Sequence, residues 1–117
     1  MKESDSVLDK FKRIFFRNRS RGVCEESLNC YSKIIKDNSN VIIIDVRSPQ
    51  EFEEGHINGA ILIPEYEIFI KSKGMLLDKS QKIFLYCNTG VRSEKAKKIL
   101  KKQGYSNVYN MCRKLDL

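Results

Sequence analysis

Apolar residues fall along the chain in short uninterrupted runs, separated by stretches in which they recur every three or four positions. Residues 41–44 (VIII), 61–63 (ILI), 83–86 (IFLY) and 108–111 (VYNM) have the length and the β-branched or aromatic composition of strands, and residues 23–24 predict a short strand ahead of them. The first of these runs is β-branched throughout, which fits a strand covered on both faces. Pro64 ends the second. Between the runs the spacing turns helical. Leu28, Tyr31, Ile34 and Ile35 share one helical face, Ser48 followed by Pro49 reads as a helix start with Pro at the first position, and residues 65–80 predict one or two short helices. After residue 93, Ala96, Ile99 and Leu100 mark a longer helix that Gly104 ends as a glycine just past the cap. Strand, connection and helix therefore alternate, and the unit formed by residues 83–103 is strand, tight loop, helix.

That unit carries the strongest chemical signal. Cys87 follows the 83–86 run directly, and Asn88, Thr89, Gly90, Val91, Arg92 and Ser93 lead from it into the helix. α/β folds place their chemistry at the carboxyl end of a strand, before a helix. A cysteine reacts as the thiolate, and backbone N–H groups curling round the sulfur, the positive end of the helix and the Arg92 guanidinium would all favour that form. Gly90 supplies a backbone conformation that a side chain would forbid, and Ser93 is expected to cap the helix. The same cradle suits an anionic substrate or a terminal sulfur carried on Cys87. A buried cysteine at a strand end is more often a small apolar filler; the NTGVRS that follows favours the chemical reading.

DVRSPQEFEEGHINGAILIP from Asp45, YCNTGVRS around Cys87 and GYSNVYNM near the end resemble, in this order, the motifs of single-domain rhodanese homology proteins, over residues 23–111. The resemblance implies an α/β rhodanese-like fold, with a mostly parallel central sheet of about five short strands flanked by helices on both faces. It implies a sulfurtransferase in which Cys87 takes sulfane sulfur from thiosulfate or a persulfide donor, holds it as a persulfide and yields it to a thiol or other nucleophile. The partners implied are that small donor, a thiol acceptor and a sulfur-carrier protein; no cofactor is called for. A phosphatase branch of the same fold has five residues between cysteine and arginine, whereas Cys87 and Arg92 have four between them, a tighter cradle. Non-catalytic modules of the fold usually lack the cysteine. Members commonly follow the last strand with paired glycines and a closing helix, where this chain reads MCRKLDL.

Asp45 and Arg47 close the 41–44 strand on the same side as the Cys87 loop if the strands are parallel. The spacing of Arg47 and Glu51 suits an ion pair beside that loop, either positioning substrate or simply holding structure. His56, the sole histidine, is the one candidate general base, and within the resemblance it belongs to the fold signature instead.

Composition changes this picture little. At 117 residues, with 32% charged and 41% hydrophobic, the chain supports one domain and a tail. No apolar run approaches the roughly 20 residues that span a bilayer, and no secretory signal is evident, so a cytoplasmic site is expected. Cys24, Cys30, Cys87 and Cys112 match no zinc spacing or disulfide framework, so no metal is expected, and Cys112 reads as an apolar filler rather than a resolving thiol. Charge adds one feature. Residues 1–21 form a basic N-terminal extension, with seven Lys/Arg against three Asp/Glu in a chain of net charge +7. Leu8, Phe11 and Phe15 there fit a short amphipathic helix. A docked or frayed terminus with solvated charges is favoured over a membrane-surface anchor, and no nucleic-acid motif accompanies the charge. Residues 22–117 make up the rhodanese-like domain, and Lys95, Lys97, Lys98, Lys101 and Lys102 read as the solvated face of its last helix.

Overall fold

The computed structural model describes residues 40–111. Within them lie β1 (Val41–Asp45), α1 (Pro49–Glu54), β2 (Ile61–Leu62), a 3-10 turn (Glu65–Glu67), α2 (Ile68–Met75), β3 (Lys82–Tyr86), α3 (Val91–Lys102) and β4 (Val108–Asn110). The four strands form one sheet in the order β2-β1-β3-β4, with every pairing parallel. Four of the expected strands are thus present. The fifth, at residues 23–24, lies outside the described residues, as do the 25–36 helix, the basic extension and Cys112.

The strand order fixes where a ligand can enter. From β1 the chain passes first to β2 on one side and later to β3 on the other, so the connections diverge between β1 and β3. In an open parallel sheet the crevice at the carboxyl ends of two such strands is the natural site. Register then places Asp45 opposite Tyr86, and Val46 N–H extends the ladder to Tyr86 O at 3.1 Å. On the other flank β4 sets Asn110 opposite Leu85, one residue short of the loop. The stretches after β1, after β3 and at the end of β4 therefore converge on one edge.

Apolar burial holds this arrangement rigid. Ile44, Ile83, Phe84, Leu85, Ala96, Leu100 and Val108 are fully or almost fully buried in one cluster, and Phe84 meets Tyr109 edge to face at 5.4 Å between centroids. Helix α3 contributes Ala96 and Leu100 at the expected spacing and turns Lys95, Lys98, Lys101 and Lys102 to solvent, with Lys97 half-buried. Its C-terminus closes as expected from Gly104, which has φ 102°. Tyr105 N–H donates to Leu100 O and Gly104 N–H to Lys101 O, the paired bonds of a Schellman end.

Helix α1 starts as Ser48 and Pro49 predict. Ser48 is the N-cap: its hydroxyl accepts from Glu51 N–H, Glu51 returns a bond to Ser48 N–H, and Pro49 opens the helix. This capping box fixes the Glu51 carboxylate on the side that faces the Cys87 loop.

Candidate active site

Cys87 leaves β3 at its carboxyl end and is fully buried. Its Sγ lies 3.0 Å from the Gly90 N–H and 3.4 Å from the Ser93 N–H, both donating to it. Ser93 Oγ stands 3.3 Å away. The chain turns this tightly because Gly90 adopts φ 93°, a left-handed conformation that costs an L-residue about 1–2 kcal/mol. Gly90 is also the N-cap of α3, which places Sγ at the positive end of a 12-residue helix. Ser93 is therefore not the helix cap expected from its residue type. It lies inside the first turn of α3, buried, and its hydroxyl serves the loop: it donates to Asn110 Oδ1 at 2.7 Å. Thr89 and Val91, in contrast, are exposed at the rim, Val91 by 58%.

The expected Arg47–Glu51 ion pair is replaced by two others. Arg47 pairs with Asp45, its own neighbour at the end of β1, through Nε at 3.0 Å and Nη2 at 2.8 Å, while its backbone N–H donates to the same carboxylate. Both residues are buried, and Arg47 also donates to Gly55 O and lies over the Tyr86 ring. Burial opposes the Arg47 charge, but the hydrogen bonds and charge of Asp45 hold its pKa above the ordinary value. Glu51 instead pairs with Arg92, in a fork of 2.7 and 3.0 Å across the mouth of the loop. Chiefly through the Arg92 hydrogen bonds, with the Ser48 backbone bond adding to them, the Glu51 carboxyl is held down at about 2. Arg92 is correspondingly raised, first by Glu51 and in smaller part by the charge of Cys87. The exchange follows from direction: the Ser48 cap turns Glu51 toward α3, whereas the Arg47 side chain folds back under the sheet edge.

Asn88 joins the two pairs. Its Nδ2 donates to Glu51 Oε2 at 2.9 Å and its Oδ1 accepts from Arg47 Nη1 at 3.4 Å. A polar chain thus runs Asp45, Arg47, Asn88, Glu51, Arg92 round one side of the sulfur, and Asn110 on β4 closes the other side by donating to Gly90 O at 3.1 Å. Residue type and spacing point to every member of this set except Asn110 and the Glu94 carboxylate that accepts from it. The available signal was an amide inside the otherwise apolar VYNM run.

His56 takes no part in this arrangement. Its ring stacks on Phe52 at 3.6 Å, and Nδ1 lies 2.7 Å from Phe52 O, which, being only an acceptor, fixes the proton on Nδ1. Tyr86, beneath the loop, is raised above the ordinary tyrosine value, mainly by burial, and stays neutral; its hydroxyl accepts from Ile57 N–H at 3.0 Å.

Comparison with known proteins agrees with the fold. The sequence profile of the Rhodanese-like domain matches residues 27–112. The thiosulfate sulfurtransferase PspE of Escherichia coli (strain K12) is 40% identical over 67 residues, 57% of this chain and 64% of that protein. A sulfurtransferase of Allochromatium vinosum is 32% identical over 80 residues, covering 68% of this chain and 73% of its own length. Among solved structures, a rhodanese with anions from E. coli superposes with a TM-score of 0.58 at 38% identity, over 60% of this chain and 82% of the other. The chain spans 46, 64 and 53% of three curated relatives it matches, PspE among them.

Proposed function

Because the chain belongs to the rhodanese-like domain family, we propose that it is a sulfurtransferase working through a persulfide on Cys87. The observation that carries this reading is the sulfur itself: a cysteine Sγ held by two backbone N–H donors at the N-terminus of a helix, in a loop closed by the Glu51–Arg92 fork. Such donors stabilise negative charge on sulfur and leave its nucleophilic electron pair available.

In the first step the Cys87 thiolate attacks the outer sulfur of thiosulfate. The new S–S bond forms as the old one breaks, and sulfite leaves with the bonding pair. In the second, an acceptor thiolate attacks the terminal sulfur of the persulfide. Cys87 departs as thiolate and the acceptor leaves as a persulfide, so no redox cofactor is consumed across the cycle. The terminal sulfur of the intermediate carries the charge the thiolate carried and calls on the same loop amides. Arg92, placed by Glu51 at the mouth, attracts the anionic donor, and exposed Thr89 and Val91 form the rim that an acceptor meets. A persulfide on a small carrier protein satisfies the same steps as thiosulfate, with a protein surface in place of sulfite.

Steady-state turnover with thiosulfate and a thiol acceptor, run beside hydrolysis of an aryl phosphate, tests the reading. Sulfur transfer without phosphate release is expected. Phosphate release alone would assign the loop to phosphatase chemistry, and neither activity with any sulfane donor would leave a binding module.

A further inference from the structure

The surroundings of the Asn110 amide fix its orientation. Its Nδ2 lies 3.1 Å from Gly90 O and 3.0 Å from Glu94 Oε1, both acceptors, so Oδ1 is the atom facing Ser93 Oγ at 2.7 Å. An amide oxygen only accepts, and Ser93 has one hydroxyl hydrogen to give. That hydrogen points at Asn110. The same Oγ lies 3.3 Å from Cys87 Sγ, and with its hydrogen committed it can only accept from the sulfur. A thiol offers that hydrogen and a thiolate does not. For Ser93 to donate to a thiolate its hydroxyl must rotate away from Asn110.

We propose that Asn110 is a positioning residue that competes with the Cys87 sulfur for the Ser93 hydroxyl hydrogen, and thereby sets the balance between thiol and thiolate at Cys87. The inference rests on Cys87 being the nucleophile. The Gly90 carbonyl, whose residue gives its N–H to the sulfur, and Glu94 on the first turn of α3 both help hold Asn110 itself in place. The loop therefore keeps its shape while the hydroxyl turns, and one hydrogen tracks the charge on sulfur. Arrival of an anionic donor beside Arg92 then does not have to reorganise the backbone. Among the described residues, the charged and titratable groups around the sulfur are Arg92 and Glu94 on α3, Glu51 on α1, Asp45 and Arg47 at the end of β1, and Tyr86 on β3; substitution of Asn110 removes none of them.

Thiolate absorbance in the ultraviolet, titrated with pH on the full chain and corrected by the Cys87→Ser form of each variant, reads the balance directly and needs no sulfur donor. In Asn110→Ala the Ser93 hydroxyl is released to the sulfur, and the midpoint falls by roughly one to two pH units, the size of one hydrogen bond to a charged group. Ser93→Ala titrates at or above the wild-type midpoint, and Asn110→Ala placed on Ser93→Ala shifts nothing further. In a Glu94→Gln background the shift caused by Asn110→Ala persists. Asn110→Leu, which keeps the branching at Cγ without the polar atoms, carries the same expectation should the alanine variant fold poorly. An unchanged or raised midpoint, an equal shift in the Ser93→Ala background, a shift that disappears with Glu94→Gln, or loss of the fold in both Asn110 variants overturns the proposal. A protein that titrates as described yet transfers no sulfur would refute the persulfide reading and leave the Asn110 inference standing.

Discussion

Arg47 and Arg92 belong to the same polar chain beside Cys87, and their burial separates what each contributes. Arg47 is 4% exposed and answers the fully buried Asp45, so Arg47→Ala leaves a carboxylate without its cation inside the protein. A loss of about 3–5 kcal/mol is expected on denaturant unfolding, whatever happens to activity. Arg92 shares its ion pair with water, and Arg92→Ala should cost about 1 kcal/mol or less in stability. Its loss appears in turnover instead. A guanidinium that can hold Glu51 with two N–H groups and still face an anionic donor is replaced in Arg92→Lys by a point charge and in Arg92→Ala by nothing. Thiosulfate turnover should fall by roughly tenfold or more in Arg92→Ala, as for loss of one charged hydrogen bond, and by less in Arg92→Lys. Equal activity in the two variants would mean that the fork has no part in the reaction. At this scale the sequence was most legible where residue type alone decides the local arrangement, as in the left-handed turn at Gly90 that opens α3 behind Cys87. It was least legible where direction decides. Ser93 has the composition of a cap, but Gly90 starts the helix earlier and Asn110 takes the hydroxyl; Arg47 and Glu51 have the spacing of a pair, but their side chains diverge.

Helix α1 is short, has no fully buried residue, and still determines the mouth of the site, because its capping box aims Glu51. Ser48→Ala should cost about 1 kcal/mol as a lost cap and should also loosen Glu51, raising the concentration of thiosulfate needed for half-maximal turnover. The Glu51 carboxyl adds a pH signature. Its folded-state value, about 2, lies below the ordinary value of 4.5, so the carboxylate contributes stability that is fully present above the higher value and is lost as pH falls toward the lower one. Thermal melts of the wild-type protein between pH 5 and pH 2 should therefore show an acid loss that is smaller in Glu51→Gln; parallel curves would remove the carboxylate from the account. The strands were readable in advance because each is a run of β-branched or aromatic residues, and a parallel, buried sheet is built from such runs. Asn110 escaped notice because its role depends on β4 lying beside β3, a pairing no local pattern in VYNM announces.

For the molecule as a whole, the charge is unevenly placed: the most basic stretch lies in residues 1–21, away in sequence from every residue of the site. Deleting this segment should leave turnover with a small donor nearly unchanged. Only if the segment is a peripheral arm should binding of the full chain to anionic vesicles exceed that of the truncated form and fall with added salt, since exposed charges are screened over about 8 Å at physiological ionic strength. Vesicle binding that survives truncation would place the anionic surface on the domain, where the lysines of α3 are the candidates; unfolding on truncation would make Phe11 and Phe15 part of the core. The central claim is narrower, that Cys87 itself carries the sulfur. Intact-mass and peptide mass spectrometry after brief exposure to thiosulfate, before and after addition of a thiol acceptor, tests it most directly. The expected result is a gain of one sulfur atom on the peptide containing Cys87, lost in step with product formation and absent from a folded Cys87→Ser variant that does not turn over. Sulfur transfer at an undiminished rate in Cys87→Ser, or turnover without that adduct on Cys87, would contradict it.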